Sequence, residues 1–528
     1  MSSIEKPAMA PMQGPRLGEV EREDNKPTFY LTKVEAKLLG IAGVSRVLFS
    51  HTAVPYFVGG DRSDSSWMLM TCSSLTHVPV ATMLQFRLYN GHALPAGLQG
   101  LLKASANIGS VIGQFGFGYM ADALGRKAIY GKELMLIIFA TIMCLTTPTG
   151  RISADASLIY LTVFRIILGI GVGGDYPMSA SVTTDRAVLR KRGTLLAYIF
   201  ANQGWGSLFG SVAFIVTLAC YKHVMLDEGK TSKVDGVWRI VVGISLIPAF
   251  GTLYQRLTLP ESTRYVESQQ TDLSSDLKKS QGSDSESAEP VVRENVVTKK
   301  AHFREFLIYF REWRHLKLLI GTASCWFLLD IAFYGINLNQ NVVLQQIGFD
   351  GKTGTSDWER LFKLGIGDVI ITALGFVPGY YVTVLTVETL GRKFIQIQGF
   401  LMAALFLGIL AGKFHELSKP AFIVCFAFLQ FFFNFGANAT TYLYPAELFP
   451  TKFRAFAHGM SAACGKLGAI ISALAFNQLS VSIGTPKVLW IFFACCILGA
   501  FFTLLLPEVK GRDPDAVLAA EMAAEGKL

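Results

Sequence analysis

The feature that most constrains this chain is a ladder of apolar runs, each long enough to cross a bilayer. A spanning helix needs about 20 residues. Such runs occur at 95–120, 128–147, 157–182, 193–220, 237–257, 315–340, 362–386, 394–412, 421–445, 456–480 and 486–506. Within a bilayer the backbone N–H and C=O groups must be satisfied internally, and continuous apolar runs of this length do so as helices. Composition agrees, with 51% hydrophobic and 16% charged residues, against about 25% charged in soluble domains. The expectation is an all-α membrane protein, with one further span between Lys37 and Phe86 making twelve. Disordered, collagenous and disulfide-rich secreted classes are excluded.

The net charge of +9 is concentrated in short turns. Arg126 and Lys127 occupy one, Arg186, Arg190, Lys191 and Arg192 the next. Arg392 with Lys393, and Lys452 with Arg454, mark two more. This positive-inside pattern places those turns, both termini and the central loop in the cytoplasm, so the basic balance reads as orientation and not as nucleic-acid binding. The first 36 residues are polar and lack the apolar core of a cleavable signal. A polar stretch from Glu261 to Glu312 divides the spans, and 267–300 within it is too poor in apolar residues to form a core. The expected organisation is a cytoplasmic tail at 1–36, a six-helix bundle at 37–260 and a partly disordered cytoplasmic loop at 261–312. A second bundle at 313–506 and a cytoplasmic tail at 507–528 complete it. The eight cysteines have no metal or redox spacing. No phosphate-cradling loop or nucleophile elbow is present, so neither enzyme chemistry, a cofactor nor a metal is expected.

An internal repeat ties the two halves together. Gly118-Tyr-Met-Ala-Asp122-Ala-Leu-Gly125-Arg126-Lys127 follows the second expected span, and Val387-Glu388-Thr-Leu-Gly391-Arg392-Lys393 follows the eighth. Either copy alone is a capped turn with basic residues; two copies six spans apart indicate parallel six-helix repeats. The first copy resembles the loop motif G-x-x-x-D-x-x-G-R-R/K of the major facilitator superfamily. Pro260-Glu-Ser-Thr-Arg264-Tyr265 resembles the P-E-S-P-R-W/Y element of its sugar-porter branches, with Thr for the second proline. The resemblance implies a major facilitator fold, twelve transmembrane helices in two six-helix bundles.

Ionisable groups inside spans are costly and mark function by default. The fourth span carries Asp175 beside Tyr176 and Pro177 in a glycine-rich run. In the seventh, Trp326, Asp330 and Tyr334 fall at i, i+4 and i+8 on one helix face. Gln203 lies in the fifth, Asn434 and Asn438 in the tenth, and Lys466 in the eleventh. Packing explains an aromatic stripe but not a carboxylate centred in it. Tyr, Gln, Trp, Asn and Lys are donors that suit an oxyanion, and a buried carboxyl tends toward its protonated form. A protonated Asp could donate to the anion and eject it on losing the proton.

Gly173-Gly174-Asp175-Tyr176-Pro177-Met178-Ser179-Ala180 resembles the G-G-D-Y-P-L-S-A signature of the inorganic phosphate:proton symporters of fungi and plants. That resemblance implies a phosphate site of Tyr176, Gln203, Trp326, Asp330, Tyr334, Asn438 and Lys466. Asp175, together with Asp330, would serve the proton route. Tyr442 to Arg454 resembles the family's segment between the tenth and eleventh helices, where Glu447 and Arg454 read as a cytoplasmic gate. Partners would be phosphate, protons and the bilayer, in a multi-pass protein of the plasma membrane. Other readings are a proton-coupled sugar or organic-anion porter, a phosphate sensor with little flux, or an inactive product.

The last possibility arises because residues 44–78 depart from the family, which has an acidic D-A/S-Y-D element in its first helix. Here Arg46, His51, Pro55, Asp61, Arg62 and Asp64 interrupt the run. Back-translation of Trp67-Met68-Leu69-Met70-Thr71, read two bases later, forces D-A/V-x-D. Val44-Ser45 can encode a splice donor and Asp61-Arg62 an acceptor. The bases between those two sites therefore read as a retained intron. Sequencing the transcript is expected to return messages lacking these bases; their retention in every read would contradict it.

Overall fold

The computed structural model describes residues 83–84, 87–89, 96–150, 152–258, 302–340, 343–344 and 356–524. The expected first span, the irregular segment 44–78, the N-terminal tail, Pro260–Tyr265 and most of the central loop lie outside the described residues. What is described is a stack of long helices. They are α1 (Ala96–Leu124), α2 (Arg126–Leu145), α3 (Ala154–Arg186), α4 (Arg192–Cys220), and α5 (Val234–Ile244) continued by α6 (Leu246–Leu257). Then come α7 (His302–Arg311), α8 (Trp313–Asn337), α9 (Asp357–Leu390), α10 (Arg392–Gly412), α11 (Lys419–Asn434) and α12 (Ala437–Leu448). The chain continues through α13 (Arg454–Ile483), α14 (Thr485–Thr503) and a tail helix α15 (Pro514–Ala524). Ten helical spans are long and apolar enough to cross a membrane, and the 29-residue α1 is an eleventh long helix. Each coincides with one of the apolar runs read from the sequence.

Local chemistry sets the boundaries. Ser153, Ser356 and Ser418 accept the backbone N–H groups of Ala156, Glu359 and Ala421, capping α3, α9 and α11. Within α9 the turn Thr372–Phe376 widens to a π-turn just before Pro378, which has no N–H to offer the carbonyl four residues back. α11 and α12 form one span broken at Phe435–Gly436, with α10 packed against the break through Gly399. α1 and α3 pack with their backbones nearly touching at Gly109, Gly113, Gly169 and Gly173, as small residues permit. α1 also packs on α13, and α13 on α8, so the two halves share a seam that runs the length of the bundle.

The basic turns gather at one end, where Arg126, Arg392 and Arg454 are buried and paired, some of them across that seam. Gly125 and Gly391 turn the chain after α1 and α9 with φ of 91° and 83°, a conformation glycine adopts without penalty. In the first half Arg126 pairs with Asp185, and in the second Arg392 pairs with Glu388 and Glu447, each at 2.7 Å. The halves then cross-link. Arg454 of α13 binds Asp185 at 2.5 Å, and Asp122 accepts the N–H groups of Ala455 and Phe456 at 3.3 and 2.8 Å. In the other direction, Glu388 accepts Thr194 N–H at 3.2 Å. The pattern is quasi-symmetric, with Asp122, Arg126 and Asp185 matching Glu388, Arg392 and Glu447.

The tail helix closes over this network. Asp515 accepts both the N–H and the hydroxyl of Thr451, at 2.7 and 2.6 Å. Burial works against its ionisation, but nearby Arg454 and these hydrogen bonds outweigh that and hold the carboxyl below the usual carboxylate range. The contribution of this clasp is therefore present at neutral pH and lost only as pH falls through that depressed value. Removing one partner of a buried ion pair costs about 3–5 kcal/mol. Asp185→Asn leaves Arg126 and Arg454 without their shared partner, so a fall of about 3 kcal/mol is expected in the stability of the detergent-purified protein. An unchanged Tm would contradict the assignment.

Candidate functional site

Trp326, Asp330 and Tyr334 are all buried on the face of α8 that meets α13. α13 supplies the cation. Lys466 lies near the middle of this 30-residue helix, and its ammonium donates to Asp330 Oδ2 at 3.0 Å and to the Tyr334 hydroxyl at 2.8 Å. It also sits over the rings of Tyr334 and Tyr176, 4.1 and 5.3 Å from their centroids. The preceding residue must be small. A Cβ at Gly465 would stand 2.4 Å from Trp326 Cδ1, so the indole of α8 reaches the backbone of α13 only because that position has no side chain.

The opposite wall comes from α3, α4, α9 and α12. Tyr176 packs on Trp326 with ring centroids 6.4 Å apart. Asn438 Nδ2 donates to the Tyr380 hydroxyl at 2.7 Å and to Asn434 Oδ1 at 2.8 Å, and Tyr380 donates to Gln203 Oε1 at 3.0 Å. Tyr176, Gln203, Tyr334 and Lys466 line a cavity of about 50 Å³ that continues toward Lys103 and Arg165. A water needs about 10–15 Å³ by this measure, so the space holds a few waters. The groups around it include two ammoniums, a guanidinium, phenols and amides, with the Asp330 carboxylate behind Lys466, and such a set suits an oxyanion.

The seven residues singled out as a phosphate site are therefore clustered, with Trp326, Asp330 and Asn438 directly behind the lining. Asp175 is placed elsewhere. Successive helix residues differ by about 100°, and while Tyr176 faces the cavity, Asp175 turns to α6. There it accepts from Arg256 at 2.6 Å and from the Ser179 hydroxyl at 2.9 Å. Arg256 also binds Glu133 at 3.1 Å and lies 4.7 Å from the Tyr130 ring. The loop-motif residues are remote from the cavity. Gly118 packs on Ala455, Lys127 is exposed, and Lys393 donates its backbone N–H to Glu508 at 2.9 Å. Glu447 and Arg454 belong to the ion network at the basic end.

Several participants escaped the reading of the sequence. Arg256 sits in the last turn of an apolar run and passed as its boundary, although a buried carboxylate in the fourth span implies a cation somewhere. Tyr380, in Pro378-Gly-Tyr-Tyr381, looks like one more aromatic; nothing local announces that its hydroxyl joins Gln203 to Asn438. Among the described residues no cluster of His, Cys, Asp and Glu could hold a metal ion.

The sequence matches the model of the family described as "Sugar (and other) transporter" over residues 67–517. It is 42% identical to a Schizosaccharomyces pombe protein named provisionally as an inorganic phosphate transporter, over 97% of this chain and 93% of that one. It is 37% identical to the inorganic phosphate transporter PHO84 of Saccharomyces cerevisiae, over 83% and 79% of the two chains. The repressible high-affinity phosphate permease of Neurospora crassa is 36% identical, over 90% and 88%. In structure the chain is similar to the proton:xylose symporter XylE with bound 6-bromo-6-deoxy-D-glucose, with a TM-score of 0.64, 20% identity and coverage of 86% and 97%. A partially occluded inward-open form of XylE from E. coli gives 0.61 at 19% identity, over 84% and 96%. At that identity the likeness carries the fold alone.

The ion pair at the centre of the site can be tested without any ligand. Lys466→Met strands Asp330 and is expected to lower stability by about 3 kcal/mol, whereas Lys466→Met with Asp330→Asn recovers most of that loss. Additive losses in a double-mutant cycle would mean that the two groups do not interact.

Proposed function

Because the chain belongs to the sugar (and other) transporter family of the major facilitator superfamily, we propose that it imports inorganic phosphate together with protons by alternating access. The single observation that carries the choice of substrate is the lysine. A sugar site has no use for a buried ammonium, whereas Lys466, set among Tyr176, Tyr334, Gln203 and Asn438, fits a tetrahedral oxyanion. The names of the relatives point the same way. The setting is a membrane, which we take to be the plasma membrane, with the basic end and both termini in the cytoplasm.

The mechanism follows from charge balance. With the cavity free of phosphate, Lys466 is neutralised by Asp330. Phosphate entering beside Lys466 competes for the same ammonium, and Asp330 would then be a second negative charge in a buried site. Taking up a proton removes that charge and converts the carboxyl into a donor to phosphate. When the proton leaves on the other side, the restored carboxylate reclaims Lys466 and expels the anion. Asp175, held by Arg256 next to Glu133, lies one helix face away and is the second group assigned to proton passage. The ion network at the basic end must open and re-form once in each cycle.

Asp330→Asn keeps the shape but cannot cycle a proton. It is expected to lose concentrative uptake of radiolabelled phosphate at least about tenfold, a barrier increase of about 1.4 kcal/mol, while retaining phosphate exchange at equal concentrations. Normal accumulation in this variant would refute the role of Asp330. Uptake through the native chain should be inhibited by excess unlabelled phosphate and not by glucose; the opposite preference would favour a sugar porter.

A further inference from the structure

Transport chemistry leaves α7 (His302–Arg311) unexplained. One side of this short helix is fixed to the protein. Phe306 and Phe310 are buried, with Phe306 6.0 Å from Phe453 and 4.7 Å from Phe456, and Phe310 5.6 Å from Phe449. Glu305 pairs with Lys452 at 2.9 Å. These contacts fasten α7 to the turn between α12 and α13.

The outward side mixes two kinds of residue. At about 100° per residue, Leu307, Arg311, Arg304 and Ile308 follow one another around a single sector of about 100°, bordered by Phe303, whose ring lies 6.4 Å from Tyr119 and 6.3 Å from Phe456. Leu307 and Ile308 are 53% and 60% exposed, and Trp313 at the start of α8 is 68% exposed. Arg304 and Arg311 are exposed as well. The acids beside them are engaged elsewhere, Glu305 by Lys452 and Glu312 by Arg314 at 2.6 Å. Among the described residues neither Arg304 nor Arg311 has an ion-pair partner. Lys299 and Lys300 precede the helix in sequence.

A surface facing only lipid tails would not carry two arginines, and one facing only water would not carry Leu307, Ile308 and Trp313 side by side. Both conditions are met together in the headgroup layer, where apolar side chains reach the acyl chains and guanidinium groups bind phosphate oxygens. The position agrees, because α7 leads directly into the spanning helix α8 with Trp313 at the joint. We propose that α7 lies in the headgroup layer and binds acidic phospholipids of the phosphatidylserine type through Arg304 and Arg311. The same helix is fastened to the turn that carries Thr451 and Arg454, so lipid bound there braces the basic end.

The test uses the full chain in neutral detergent, offered equal amounts of phosphatidylserine and phosphatidylcholine, with retained lipid counted by native mass spectrometry. The native chain is expected to prefer phosphatidylserine. Arg304→Gln with Arg311→Gln should weaken that preference about thirtyfold, equivalent to about 2 kcal/mol at about 1 kcal/mol per cation. Arg304→Lys with Arg311→Lys should keep most of it. If the double glutamine variant does not fold, each single glutamine variant is expected to lose about fivefold. Equal retention of the two lipids by the native chain, or an undiminished preference in the glutamine variants, overturns the proposal.

Discussion

A lysine ammonium and an aspartate carboxylate buried in the middle of a helical bundle have one stable arrangement: each must neutralise the other. Lys466 and Asp330, 3.0 Å apart on α13 and α8, meet that condition, and much else is arranged around it. Gly465 thins α13 so that Trp326 can pack against its backbone next to Lys466 in sequence. Tyr334 accepts from the same ammonium, and Tyr176 covers it from the other half. An ion pair of this kind contributes little net stability after desolvation. In the proposed mechanism its value lies in being replaceable, since an incoming anion and a proton would together take the place of each group's partner.

The second constraint is the ion network at the basic end. Six buried carboxylates and arginines of matched position, Asp122, Arg126 and Asp185 in one half and Glu388, Arg392 and Glu447 in the other, hold each half's turn. Arg454 and Asp122 then bind across the seam. Bonds of this type are strong when complete and costly when half-broken, which favours two discrete states over a continuum. The tail helix and α7 both attach to the turn around Thr451 to Phe456, so the region proposed to rearrange is tied to non-spanning chain on two sides.

How much of this could be read from the sequence follows from the range of each interaction. Spans were legible because burying a helix in lipid requires a continuous apolar run, and every described run is a helix. The repeat was legible because a tight turn, an acid and two cations sit within ten residues. Trp326, Asp330 and Tyr334 could be grouped by helical period alone. The union of those residues with Gln203, Asn438 and Lys466 came from resemblance, since no local pattern says which spans face one another. Long-range partners were the hardest. Arg256 with Glu133 and Asp175, and Tyr380 between Gln203 and Asn438, join positions over a hundred residues apart or on different spans. The carboxylate in the glycine-rich fourth span called for a counter-ion but could not name it.

The central claim is that phosphate accumulation is driven by protons through this site. Purified full-length protein in proteoliposomes, loaded at neutral pH and diluted into acidic medium with radiolabelled phosphate, measures it directly. The account predicts accumulation above the external concentration that collapses when a protonophore is added. Uptake that stops at equilibration, or that is indifferent to the pH gradient, would contradict it.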